Sequence, residues 1–92
     1  MKIEFDPAKS ARNEVERGLP FSAAAAFDFA TALYAEDKRF DYPETRIIAV
    51  GFIDSRLHVL CFTAIAGGIR VISLRKANRR EIRDHAQKTA DE

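Results

Sequence analysis

The chain has one cysteine, Cys61, so no internal disulfide can form. With Leu60 and Phe62 on either side, its thiol reads as buried and structural. No apolar run approaches the roughly 20 residues that a membrane helix needs. The opening MKIEFDPAKSARNE is too polar for a secretory signal. Both absences point to a cytoplasmic protein with no membrane partner. Histidine is scarce: His58 and His85 stand 27 positions apart (85 − 58). The acids fall in no metal-ligand spacing around them, so neither a metal nor another cofactor is expected. Excess charge of one sign is missing too. Fifteen Lys and Arg meet 14 Asp and Glu, a net charge of +1. The total therefore does not mark a protein that coats a polyanion.

What is there is a charge distribution. Ninety-two residues make one domain, 1–92, with no room for a second core. Glu36, Asp37, Asp41 and Glu44 cluster in mid-chain, whereas the stretch Ile69 to Arg83, IRVISLRKANRREIR, is basic. It begins as a β-branched strand and then carries Arg75, Lys76, Arg79, Arg80 and Arg83, with Glu81 its only acid. Arginine stays charged and offers planar donors shaped for phosphate. This points to an RNA-directed site. The plainer reading is a solvated basic helix.

Taken in order, Lys2 to Phe5 reads as a short strand. Asp6-Pro7 starts a helix that runs to about Arg17, because Asp accepts from the orphan N–H groups and Pro is pre-set for the first helical position. Gly18 takes the left-handed conformation that ends it. Ser22 is expected to cap a second helix, through about Phe29, built on the run Ala23 to Ala26. Ala32 to Glu36 reads as a strand and Asp37 to Glu44 as a loop. Three strands follow, about Arg46 to Ile53, Arg56 to Thr63 and Ile69 to Leu74. They are joined by Asp54-Ser55 and by a turn containing Gly67-Gly68, which makes an antiparallel meander. Asn78 and Glu81 form an Asn capping box for a last helix to about Lys88, and the tail from Thr89 to Glu92 is expected to fray. The fold class is α+β, with two N-terminal helices and one C-terminal helix.

A two-residue loop at Asp54-Ser55 sets Phe52 opposite Leu57, Val50 opposite Val59 and Ile48 opposite Cys61. Gly51 then falls opposite His58, and Ala49 opposite Leu60. Carried into the last strand, the alternation gives one face with Ile48, Val50, Phe52, Leu57, Val59, Cys61, Ile72 and Leu74, the natural seat for the first two helices. The other face carries Ala49, Gly51, His58, Ser73 and Arg75, together with Ile47, Leu60, Phe62 and Val71. His58 and Arg75 would then share a groove. A single bulge in the last hairpin would separate them.

An ordered set of residues resembles a known family over about residues 3 to 86. It comprises Phe5-Asp6-Pro7-Ala8-Lys9, Asn13, Gly18-Leu19, Phe21, Glu36-Asp37, Arg39, Tyr42, Arg46 to Gly51, Arg56-Leu57, Phe62-Thr63 and the block Ile69 to Glu81. The chain resembles the BrnT family of bacterial toxins. The resemblance implies a RelE-like fold and the toxin half of a type II toxin–antitoxin pair. It further implies a ribonuclease that cuts mRNA and arrests translation. The implied partner is a BrnA-like antitoxin with a ribbon-helix-helix part, through which alone the pair would touch operator DNA. The chain departs from the family pattern in places. Phe5 stands for a usual Trp, Arg17 for a His, Leu74 for a small residue and His85 for a Tyr. Ala64-Ile65 replaces an acid-and-Arg pair.

Cleavage of RNA by its own 2′-hydroxyl needs a base, an acid and cations for the charged transition state. The candidates are Arg75 as phosphate clamp, with Lys76 or Arg79 helping, and His58 or His85 as acid or base, since imidazole titrates near neutrality. Arg80 and Arg83 read as a solvated face or as antitoxin contacts. Arg46 and Arg70 are RNA contacts or ion-pair partners of Glu36 or Asp37. Phe40 and Tyr42 can pack or stack on a base. The competing function is a non-catalytic module, a degenerate toxin that only binds nucleic acid or its antitoxin.

Overall fold

The computed structural model describes residues 1–90. Five strands and two α-helices follow in order: β1 (Lys2–Glu4), α1 (Pro7–Arg17), β2 (Leu33–Glu36), β3 (Ile47–Ile53), β4 (Arg56–Ile65), β5 (Gly68–Lys76) and α2 (Arg79–Ala90). A 3-10 helix, Phe21–Ala26, stands between α1 and β2. The strands form one sheet in the order β1-β5-β4-β3-β2. All neighbours are antiparallel except β1 and β5. The class is therefore α+β with a mostly antiparallel sheet, and the meander β3-β4-β5 is its centre.

Local chemistry sets the ends of α1. The Asp6 side chain accepts from the N–H groups of Ala8 and Lys9, Pro7 opens the helix, and Gly18 closes it at φ 69°. Asn13 ties the helix down by donating to the carbonyls of Leu19 and Leu74, at 2.7 and 2.9 Å. Ser10 accepts from the Phe21 N–H at 2.9 Å. The expected second helix is corrected to a shorter 3-10 segment that stops at Ala26, and Ser22 makes no side-chain cap. Tertiary pairing overrides alanine propensity here. Phe27 is drawn into extended backbone and bridges Ile53, while the Asp28 N–H donates to the Phe52 carbonyl. There is thus one N-terminal α-helix, not two.

The β3–β4 register is the expected one, with Gly51 opposite His58 and Val50 opposite Val59. The β4–β5 register is not. The turn is Ala66-Gly67, so Gly68 already opens β5. Pairing runs regularly from Ile65–Gly68 to Phe62–Val71, then shifts, and resumes at Cys61–Ser73. Ile72 is the extra residue of this bulge, and it reverses the side of every later residue on β5.

Face membership is corrected accordingly. Leu74 lies opposite Leu60 on the face of Ala49 and His58, while Ser73 and Arg75 lie opposite Cys61 and Val59 on the other face. The Leu60 face is the main core. Leu60 and Leu74 are 0% and 1% exposed, and they pack with Phe62, Val71, Ile69 and the 3-10 residues Phe21, Ala24 and Phe27. This face, not that of Ile48, seats the N-terminal elements. The Ile48 face has a smaller cluster of Leu57, Val59 and Ala77 with Ile48 and Val50. It is the side on which α2 stands. Thr89 and Ala90 belong to α2; the rest of the tail expected to fray, Asp91-Glu92, lies outside the described residues.

Candidate functional site

Arg75 is the residue from which a site can be built. Strand β5 presents it on the Ile48 face, and the capping box of α2 brings an acid to meet it. Asn78 Oδ1 accepts from the Glu81 N–H at 2.8 Å, and Glu81 Oε1 accepts from the Asn78 N–H at 2.9 Å. The same carboxylate takes two hydrogen bonds from Arg75, Nη1 to Oε1 and Nη2 to Oε2, both 2.8 Å. Those bonds pull the Glu81 carboxyl down to a pKa of about 2. In return they raise that of the guanidinium. Nη1 also leans toward the Lys76 carbonyl at 3.4 Å. Of the five guanidinium hydrogens, Nε–H and the second hydrogen of Nη2 remain. They lie along one edge and form the fork that a phosphate can accept.

The two histidines fall on different sides. His58 is 4% exposed on the main-core face, with Nδ1 2.7 Å from the Arg56 carbonyl oxygen. It does not share a groove with Arg75, because the bulge at Ile72 separates them. His85 is one turn beyond Glu81 on α2 and therefore projects on the same side of that helix. Its ring meets Phe52 edge-on at 5.5 Å between centroids. It is 9% exposed, and its Nε2 is buried with no hydrogen-bond partner among the described residues. The structure thus brings His85, not His58, to the side of Arg75.

The other expected contacts spread out. Lys76 is exposed at the end of β5, opposite His58. Arg79 and Arg80 are exposed in the first turn of α2. The helix dipole disfavours cations there, so they do not serve α2 itself. Arg46 pairs with Glu44 at 3.2 Å and lies 4.1 Å above the Tyr42 ring. Arg70 pairs with Glu4 at 3.3 Å. Neither partner is the expected Glu36 or Asp37. Asp37 instead is held by Arg39 through two bonds of 2.9 and 2.8 Å and by the Tyr42 hydroxyl, which keep its carboxyl far below the usual range. Burial raises the Cys61 thiol, as a structural cysteine requires. Among the described residues no group of three or more His, Cys, Asp or Glu is placed to hold a metal ion, and no helix is long and apolar enough to cross a membrane.

Two site features escaped sequence reasoning. One is Glu81 as the partner of Arg75; its capping-box position was legible, its second role was not. The other is a cleft of about 190 Å³ between α2 and the outer strands. It is lined by Leu33, Tyr34, Ala35, Ile48 and Val50 from the sheet, and by Glu81, Asp84, His85 and Lys88 from the helix. The helix residues are spaced i, i+3, i+4 and i+7, which is one face of a helix.

Fold and site together define a small one-sheet α+β protein with a cleft under its last helix and a Glu81-held arginine, Arg75, beside it. The model of the family described as "Ribonuclease toxin, BrnT, of type II toxin-antitoxin system" matches residues 5–81, and the chain belongs to that family. No curated protein and no solved structure matches the chain. Membership makes the chain a ribonuclease toxin by family, with an antitoxin as its partner.

Proposed function

We propose that the chain is a RelE-type endoribonuclease that cleaves mRNA without a metal, arrests translation in the cytoplasm, and is neutralised by a BrnA-like ribbon-helix-helix antitoxin. The observation that carries this reading is the grouping of Arg75, Glu81 and His85 beside one cleft, in a chain of a ribonuclease-toxin family. In this reaction the RNA 2′-hydroxyl oxygen attacks the adjacent phosphorus and the bond to the 5′-oxygen breaks. The products are a 2′,3′-cyclic phosphate and a 5′-hydroxyl. The proton leaves the 2′-oxygen and one is returned to the 5′-oxygen.

Arg75 is assigned to the phosphate through its Nε–H and Nη2 edge, where it offsets the charge that develops in the transition state. Glu81 holds the guanidinium by its Nη1–Nη2 edge and leaves this one free. His85 is assigned to proton transfer, since its imidazole is on the same side of α2 as Glu81 and can carry a proton on either ring nitrogen. Lys76, Arg79, Arg80, Arg46 and Arg70 are assigned to the RNA backbone as a diffuse field. The test is a purified-protein assay on end-labelled single-stranded RNA. Cleavage that persists in chelator and ends in 2′,3′-cyclic phosphate supports the assignment; cleavage abolished by chelator and restored by a divalent cation contradicts it.

A second reading is favoured by His58. Its burial and its contact with the Arg56 carbonyl argue against proton transfer by the sheet histidine. One proton carrier then remains where two are customary. A non-catalytic descendant would bind RNA or antitoxin with steep salt dependence and cut nothing.

A further inference from the structure

We infer that the cleft beneath α2 is a nucleobase subsite, which seats one unpaired base of the RNA whose phosphate lies on Arg75. The inference rests on the ribonuclease reading and names what part of the substrate the site recognises. Three observations carry it. The first is size and lining. The cleft holds about 190 Å³, and a cavity of about 150 Å³ is known to accept a benzene ring. Leu33, Ile48 and Val50 give it apolar walls, which suit the faces of a planar heterocycle and not a phosphate.

The second is the polar helix side of the lining, where Glu81, Asp84, His85 and Lys88 face the apolar strand residues. The polar edge of a base meets these groups, and the carboxylate of Asp84 among them accepts from exocyclic amino groups. The third is continuity with the arginine. Glu81 lines the cleft and also grips Arg75, so base cleft and phosphate fork are separated by one side chain. Lys88 adds a cation on the far rim.

The subsite predicts that binding depends on bases and not only on the charged backbone. Ala35 provides the probe. It lies exposed on the edge strand β2 and lines the cleft, opposite Ile48. Ala35→Phe therefore fills the cleft from the rim without entering the main core. Two uncleavable probes are compared, a 2′-O-methyl oligoribonucleotide and the same backbone with abasic spacers. One stacked base is worth about 1–3 kcal/mol, so the wild-type protein should bind the base-bearing probe about 5- to 150-fold more tightly, and Ala35→Phe should erase that preference. Affinity for the abasic probe should not change, and thermal unfolding of the variant should match the wild type.

An undiminished preference in a folded Ala35→Phe variant would overturn the inference, as would a wild-type protein indifferent to the bases. Loss of antitoxin binding by Ala35→Phe, with the base preference intact, would overturn it too and give the cleft to a protein side chain. RNA cleavage by the wild type is scored in parallel. A protein that cuts RNA while Ala35→Phe keeps its base preference loses only the subsite. A protein that neither binds nor cuts RNA loses the ribonuclease reading as well.

Discussion

Arg75 and Glu81 form a bidentate contact beside the cleft, and its geometry separates two roles for the carboxylate. A bidentate grip on Nη1 and Nη2 leaves the adjacent Nε–Nη2 edge of the guanidinium open, so Glu81 positions Arg75 and does not block it. Arg75→Ala should lower the cleavage rate about 100- to 1,000-fold, the usual effect of removing one oxyanion donor. Arg75→Lys keeps the charge but not the planar fork, and should recover only a small part of that loss. A partly exposed ion pair contributes about 0.2–1 kcal/mol, so both variants should unfold at nearly the wild-type urea concentration. Equal activity of Arg75→Ala and wild type in the RNA assay would remove Arg75 from the chemistry. Arg75 was legible in the sequence because β-branched residues lead straight into a basic run. The side on which it lies was not, because one inserted residue reverses all that follow it, and Ile72 looks like any other strand residue.

At the scale of the elements, α2 is fastened to the sheet by polar contacts more than by apolar ones. The Arg75–Glu81 pair, the Arg56 bond to the Ala77 carbonyl at 3.1 Å and the Phe52–His85 contact hold it. Glu81 has a depressed pKa in the folded state, from 4.5 to about 2. Its contribution is therefore complete above pH 4.5 and is lost as the pH falls toward 2. Amide exchange of α2 should accelerate over that interval, earlier than exchange of β4, and Glu81→Gln should flatten the dependence. Synchronous exchange of both elements would show that α2 is not held this way.

Strand β3 makes a second, independent case. A methyl group on Gly51 would sit 2.7 Å from Phe27 Cζ and 2.9 Å from Ala32 Cβ. Gly51→Ala must displace the ring and should destabilise the protein by about 1–3 kcal/mol in urea; an unchanged midpoint would show that Phe27 yields freely. The caps of α1 and α2, the β3–β4 register and the meander could be read from the chain, because each rests on neighbours in sequence. The 3-10 segment could not. Four alanines propose a longer helix, and only the bridge from Phe27 to Ile53, 26 positions away (53 − 27), ends it early.

For the molecule as a whole, a charge near zero hides a division of labour between faces. One face of the sheet is closed by Phe21, Ala24 and Phe27. The other is only partly closed by α2, and it gathers Arg75, Ser73 and the cleft. If RNA lies along that second face, its affinity should fall with salt in proportion to the phosphates engaged. The double variant Arg79→Gln, Arg80→Gln should reduce the slope of log affinity against log salt by about two, one per cation removed; an unaltered slope would leave both arginines to solvent or antitoxin. The central claim is that this face cuts RNA by 2′-hydroxyl attack on a phosphate held by Arg75. Its most direct test is the 3′-end chemistry of single-stranded RNA incubated with the purified wild-type and Arg75→Ala proteins in excess chelator. The account predicts 2′,3′-cyclic phosphate ends with the wild type and at least a 100-fold slower appearance of them with the variant. Intact RNA with both proteins, or equal cleavage by both, would contradict it.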